Sequence, residues 1–280
     1  MRVSSTSQGA VNEVERRRWN DEQWTDTWPK REELTNAATG PLLDALLLQD
    51  GERVLDVGSG AGATTLAAAR RTAPSGLVVG VDVSVALTEL ARRRAEAEQV
   101  ANVRFLVADA QVDRIEGGLF DVAMSQFGVM FFDEPTTAFA NIRENVARGA
   151  RLCFASWLAV SENPWFLGPV LRDFVDPPPQ PGPGKHATGP FALGDIDEVA
   201  EILTAAGWAE VHCAPVRSRT VVSRDAIGGD DGQLRFVGVS DEQFDQAHAL
   251  VGEYLRQFLV DETHYEVPTS FSIVTARAPD

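Results

Sequence analysis

The chain has little cysteine, little basic charge and no long apolar run, and each shortage removes a class of protein. Among its 280 residues only Cys153 and Cys213 are cysteines. Two such residues, each in a strand-like run, build neither a disulfide framework nor a Cys-x-x-Cys metal site, and both read as buried free thiols. The 4 histidines have no cysteine or carboxylate partners at ligand spacing, so no metal is expected. Lys and Arg number 25 against 41 Asp and Glu, a formal net charge of -16. Phosphates would be repelled over most of such a surface, which argues against nucleic acid and anionic membranes. The local exception, Arg92-Arg93-Arg94, reads as a solvated helix face. A run of membrane-spanning length and a signal-peptide pattern are both missing, so no stable membrane insertion is expected and the cytoplasm is the expected compartment.

What is present is an ordinary globular composition, 44% hydrophobic and 24% charged, able to bury a sizeable core. Strands and helices alternate from Arg53 to Trp157. Apolar runs at Arg53–Val57, Gly76–Asp82, Val103–Val107, Leu119–Met124 and Arg151–Trp157 are separated by helical segments at Thr64–Arg71, Val85–Gln99 and Pro135–Ala147, the last stopped by Gly149. Short turns between them mean right-handed crossovers and a parallel sheet. Before this core, residues 1–48 read as an N-terminal helical cap, with Trp19, Trp24 and Trp28 either covering the domain or roofing a ligand. After it, residues 49–280 continue as one domain with substrate-side insertions at about 158–192 and 223–268, the first rich in proline. A helix at Gly194–Ala206, a sixth strand at Ala209–Ala214, a helix at Asp241–Leu259 and a closing strand at Phe271–Arg277 complete the chain.

In a doubly wound sheet, ligands bind outside the carboxyl ends of the strands. The residues with chemistry fall there. Val54-Leu55-Asp56-Val57-Gly58-Ser59-Gly60-Ala61-Gly62 is a strand, a glycine turn and a helix start; glycine allows a tight backbone and close approach of a ligand. Asp82 ends strand two, where an acid accepts both hydroxyls of a ribose, and Val83 follows it. Asp109 and Ala110 end strand three and can read an adenine edge. Asp56, two residues before the first glycine, sits badly against a pyrophosphate and well against a cationic amino-acid tail. A ligand with an ammonium group, a ribose and an adenine but no phosphate suits all three acids.

These residues, with Phe120-Asp121, resemble the class I S-adenosylmethionine-dependent methyltransferases. Phe127-Gly128-Val129-Met130-Phe131-Phe132, Trp157, Asn163-Pro164-Trp165 and Gly189-Pro190-Phe191 are similar to its ubiquinone/menaquinone-biosynthesis-type branch, which acts on small molecules; the likeness runs from about Trp19 to Leu203. The resemblance implies an α/β, Rossmann-like, doubly wound seven-stranded sheet of order 3-2-1-4-5-7-6 with its last strand antiparallel, and S-adenosyl-L-methionine as cofactor. It implies cofactor-binding roles for Asp56, Gly58, Ser59, Gly60, Asp82, Val83, Asp109, Ala110 and Ser125, the last near the sulfonium, with Trp28 as a roof. Ser59 stands where the family often has Cys or Thr. Gln126 stands where many relatives carry Arg, which removes a charge from the acceptor side.

The expected activity is methyl transfer, by in-line displacement, to a small, largely apolar acceptor of biosynthetic, secondary or quinone-like metabolism. Trp24, Gln126, Phe127, Met130, Trp157 and Trp165 are the candidate acceptor-binding residues. A sulfonium already activates its methyl group, so positioning supplies most of the acceleration and a base is needed only for an acceptor of high pKa. The catalytic residue is therefore unassigned; His186 and His264 are weak candidates, since uncommitted histidines are common in irregular surface segments. Two rival readings stand beside this one. Gly58-x-Gly60-x-x-Ala63 nearly meets the dinucleotide fingerprint of an NAD(P)-dependent oxidoreductase. A cofactor fold kept as a non-methylating binding protein is the other. Partners other than a small molecule are not expected, a homodimer apart.

Overall fold

The computed structural model describes residues 13–20, 23–175, 188–227, 234 and 238–280. Its frame is one seven-stranded sheet of order β3-β2-β1-β4-β5-β7-β6. The strands are β1 (Arg53–Val57), β2 (Leu77–Asp82), β3 (Val103–Val107), β4 (Phe120–Gln126), β5 (Val146–Trp157), β6 (Ala209–Ser223) and β7 (His264–Arg277). Strands β1 to β5 pair in parallel, and β7 enters antiparallel between β5 and β6. The order reverses between β1 and β4, which opens a crevice at their carboxyl ends.

Helices α1 (Glu13–Trp19), α2 (Gln23–Thr35) and α3 (Thr39–Leu46) precede the sheet; α4 (Ala63–Thr72), α5 (Val85–Ala97) and α6 (Pro135–Glu144) are crossovers; α7 (Ile196–Ala205) and α8 (Phe244–Leu255) lie in the C-terminal part. Their starts follow local chemistry. Ser84 caps α5 by accepting the Leu87 N–H, and Asp195 caps α7 by accepting those of Asp197 and Glu198. Pro135 opens α6, where its missing N–H costs nothing. The central strands are buried on both faces: Val54, Leu55, Val122, Ala123, Met124, Phe154 and Ala155 have no solvent exposure. No helix among the described residues is long and apolar enough to cross a membrane.

The structure corrects the expected elements in four places. Gly149 does not stop α6, which ends at Glu144; it lies inside β5 at φ 71, where the pairing with β4 shifts register between Phe120 and Val122. A glycine in the left-handed region is what a bulge there requires. The sixth and closing strands are longer than expected: β6 runs on from Ala214 to Ser223 and β7 begins at His264, so the two form a long antiparallel ribbon. The last helix is shorter than expected: α8 covers Phe244–Leu255, and Arg256–Phe258 is a 3-10 turn. Cys153 is buried, its thiol pushed up to about 12 by desolvation, but Cys213 is only half-buried because β6 is an edge strand.

Candidate functional site

The glycine turn is shaped by its neighbours on both sides. Gly58 and Ser59 each donate an N–H to the Val81 carbonyl, at 2.9 and 3.0 Å, which folds the turn over the end of β2. Gly58, Gly60 and Gly62 all have φ between 52 and 86. A Cβ on Gly58 would stand 2.7 Å from the Gly128 Cα, and one on Gly128 would stand 2.8 Å from the Gly58 Cα. Two glycines thus let the turn after β1 touch the turn after β4, closing the crevice at the switch point. Ser125, fully buried, accepts the Gly128 N–H at 3.2 Å and holds that second turn.

Three acids ring the turn. Asp56 is fully buried; its Oδ2 accepts the Thr65 hydroxyl at 2.6 Å, while Oδ1 has no hydrogen-bond partner. Desolvation, with the Asp82 charge adding to it, pushes the Asp56 carboxyl up to about 7. A buried carboxylate oxygen without a donor is costly, and it is a place that a ligand's cationic N–H group fits. Asp82 accepts the N–H groups of Gly60 and Ser84, both at 2.8 Å, tying the β2 end to the turn; burial raises its pKa and those two bonds oppose the rise. Asp109, buried at the end of β3, accepts the Gln111 N–H at 3.0 Å, and Ala110 beside it gives its carbonyl to Asn141.

Gln126 ends β4 and is spent on the N-terminal helices: Thr39 donates to its Oε1 at 2.9 Å and its Nε2 donates to the Thr35 carbonyl at 3.2 Å. Phe127 takes φ 61, unusual outside glycine, and stacks face to face on Trp157 with ring centroids 4.0 Å apart. Trp157 also meets Trp165 and Phe271, and its N–H points at the Met130 sulfur, 3.5 Å away. Phe127, Met130, Trp157 and Trp165 are all buried and form one aromatic floor. Asn163, part of the Asn163-Pro164-Trp165 stretch but given no role from sequence, fixes that floor by accepting the Trp165 indole N–H and the Ser270 N–H.

The N-terminal helices cover the crevice. Trp28 lies on Gly60, and its Nε1 donates to Glu32 at 2.7 Å; Glu32 in turn receives Arg94. Trp19 meets Trp28 and Phe131 edge-on, and Glu15, buried, accepts its indole N–H. Arg16 stands 3.3 Å from Asp109 Oδ2, and Asn20 bonds Val83 and Val85. Sequence reasoning missed Glu15, Arg16, Asn20 and Glu32, because polar residues on a short helix carry no signal of what they touch far away. On the other side α2 is held by the ribbon: Glu33 accepts the N–H and hydroxyl of Ser223, and Lys30 pairs with Asp225.

The remaining candidates are dispersed. Trp24 falls on α2, and only its backbone is among the described residues; His186 lies outside them. His264 does not sit in an irregular segment: it opens β7 opposite Ser223 and is exposed, with Nδ1 3.2 Å from Asp261. It is at the tip of the ribbon, apart from the turn. Asp121 holds the strand-four edge by accepting the Arg53 N–H. Among the described residues no group of three His, Cys, Asp or Glu is placed to hold a metal ion.

With this geometry in hand, residues 54–149 match the family described as "Methyltransferase domain". The aklanonic acid methyltransferase of Streptomyces sp. strain C5 is 33% identical over 106 residues, 38% of this chain and 48% of that protein. The ubiquinone/menaquinone biosynthesis C-methyltransferase of Stutzerimonas stutzeri strain A1501 is 32% identical over 103 residues, 36% of this chain and 40% of that protein. The chain therefore spans less than half the length of either relative. Among solved structures, the Haemonchus contortus phosphoethanolamine N-methyltransferase 2 in complex with S-adenosyl-L-methionine superimposes with a TM-score of 0.60 at 17% identity, over 98% of this chain and 61% of that one. At that identity the likeness concerns the fold.

Proposed function

We propose, from the match of residues 54–149 to the family described as "Methyltransferase domain", that this chain transfers a methyl group from S-adenosylmethionine to a small, largely apolar acceptor. The observation that carries the reading is the unpartnered Oδ1 of buried Asp56 beside the glycine turn. An anionic oxygen there welcomes the ammonium of an amino-acid tail and repels a pyrophosphate, which favours this cofactor over a dinucleotide. When bound, S-adenosylmethionine supplies a methyl group activated by its sulfonium.

The chain's own residues then have separate tasks. Gly58 and Gly60 let the ligand reach the backbone of the turn; Asp82 is aimed by the Gly60 and Ser84 N–H groups to accept ribose hydroxyls. Asp109 with Ala110 takes the adenine side, Ser125 fixes the turn near the reacting centre, and Ser59 and Val83 line the flanks. Gln126 and the floor of Phe127, Met130, Trp157 and Trp165 border the acceptor side, and an aromatic floor suits a planar, apolar molecule. The two curated relatives act, by their names, on small biosynthetic molecules. Because the sulfonium already activates the methyl group, an acceptor with its own acidity or nucleophilicity needs no base from the chain.

Calorimetry of the full chain with S-adenosylhomocysteine and with NAD, followed by S-adenosylhomocysteine release across a panel of phenolic and quinol acceptors, tests the reading. Binding of S-adenosylhomocysteine and turnover of at least one acceptor are expected. Retention of NAD alone would assign the site to an oxidoreductase, and binding without release across the panel would assign it to a binding protein.

A further inference from the structure

Three places that the proposed cofactor would occupy are already covered from within the chain. On the glycine turn, a Cβ built on Gly60 would stand 2.7 Å from Trp28 Cζ2, so the indole rests on the glycine backbone and leaves no room for a ligand between them. At the turn after β2, the Asn20 amide donates to the Val83 carbonyl at 3.1 Å and accepts the Val85 N–H at 2.8 Å, and Ser84 donates its hydroxyl to the Trp19 carbonyl at 2.6 Å. At the end of β3, the Arg16 guanidinium stands 3.3 Å from Asp109 Oδ2. A flat ring on the turn, an amide on the β2 corner and an N–H donor on the third acid are the groups a nucleoside ligand would bring. Two open surface grooves lie elsewhere, one on the α5–β3 flank around Arg92, Val100 and Phe105, the other at the amino-terminal edge around Glu52 and Arg151; neither reaches the glycine turn.

We propose that α1 and α2 form a plug that stands in for the cofactor: Trp28 and Arg16 hold Gly60 and Asp109 while the cap is closed, and S-adenosylmethionine enters only after the cap withdraws. This rests on the cofactor reading above. The plug is held lightly at its outer end, since the Arg16 side chain is 47% exposed and its ion pair is screened by water. When only open molecules bind, the apparent affinity is the intrinsic affinity reduced by the open fraction. Removing a plugging side chain therefore tightens binding, whereas removing a side chain that grips the bound ligand weakens it. The two roles have opposite signs.

The test uses the full chain, Arg16→Ala and Trp28→Ala, matched by circular dichroism, with S-adenosylhomocysteine as the probe in calorimetry and stopped-flow fluorescence. Arg16→Ala is expected to tighten binding by about five-fold, the effect of losing one exposed ion pair from the closed state, and Trp28→Ala by at least as much. The observed association rate of the parent chain levels off at high ligand because opening limits it, and the plateau rises in both variants. Without ligand, amide exchange across residues 13–20 is faster in Arg16→Ala. Affinity that falls in Trp28→Ala and stays unchanged in Arg16→Ala, with a rate that rises linearly in the parent, overturns the plug and leaves the cofactor reading standing. Absence of binding in all three proteins overturns the cofactor reading and the plug with it.

Discussion

Replacing Asp56 with asparagine separates what this residue costs the fold from what it does for a ligand. The carboxyl moves from 3.8 to about 7 on folding, chiefly through desolvation. At about 1.36 kcal/mol per pKa step, the penalty for ionising it in the folded chain is about 4 kcal/mol. Below pH 3.8 folded and unfolded chains both hold the proton and no penalty applies. As pH rises toward 7 the unfolded chain releases it while the folded chain retains it, so stability falls; above about pH 7 the loss is complete. Asparagine keeps the acceptor for Thr65 and never ionises. Urea denaturation of the ligand-free proteins at pH 4.5 and pH 8, an interval chosen to bracket most of the change, should therefore show Asp56→Asn gaining on the parent by several kcal/mol, up to about 4. Other carboxyls titrate in both proteins and cancel in the difference. The same substitution should weaken S-adenosylhomocysteine binding and abolish its tightening between pH 6 and 8, because the ligand's ammonium needs the ionised oxygen. Stability curves that stay parallel from pH 4.5 to 8 would refute both the buried, unpartnered state of Asp56 and the role built on it.

Two further substitutions probe the same crevice. Asp82→Ala removes the acceptor for the Gly60 and Ser84 N–H groups; calorimetry should show cofactor affinity lost at least ten-fold, on the scale of about 1.5–3 kcal/mol for a hydrogen bond to a charged group, with the circular dichroism spectrum retained. Unchanged affinity would remove the ribose assignment. Gly128→Ala drives a methyl group to 2.8 Å from the Gly58 Cα and Val57 carbonyl; backbone on both sides cannot yield, so thermal melting should show a loss of about 1–3 kcal/mol or more, and a neutral result would mean the two turns do not touch.

The parallel half of the fold was legible because its signals are local. Apolar runs, glycine turns and the acids at strand ends repeat with the period of a βα unit, and the order of the sheet followed from the resemblance those residues carry. The ribbon of β6 and β7 was not legible over its full length. Arg217, Ser218, Arg219 and Thr220 show no apolar alternation, and only their pairing with Ser270, Thr269, Pro268 and Val267 makes them strand. Gly149 read as a helix stop because a left-handed glycine serves a helix end and a bulge equally well. Asp56, Asp82 and Asp109 stood out in the sequence because each precedes or follows a turn signal. Arg16 on Asp109, 93 residues away in sequence, and Asn20 on Val83 were not, since nothing local encodes a partner that distant.

The long β6 strand also bears on whether a further strand can add to this sheet. Its outer edge has no neighbour in the sheet among the described residues, and an edge of fifteen residues is a template on which another chain could continue the ladder. Several features spoil that template. Pro215 lacks an amide donor, Glu210 breaks the regular twist at φ 52, and Arg217 and Arg219 carry charge that is engaged with Glu162 and Glu266. Strand addition at β6 is thereby discouraged residue by residue, so the sheet ends there by its own chemistry.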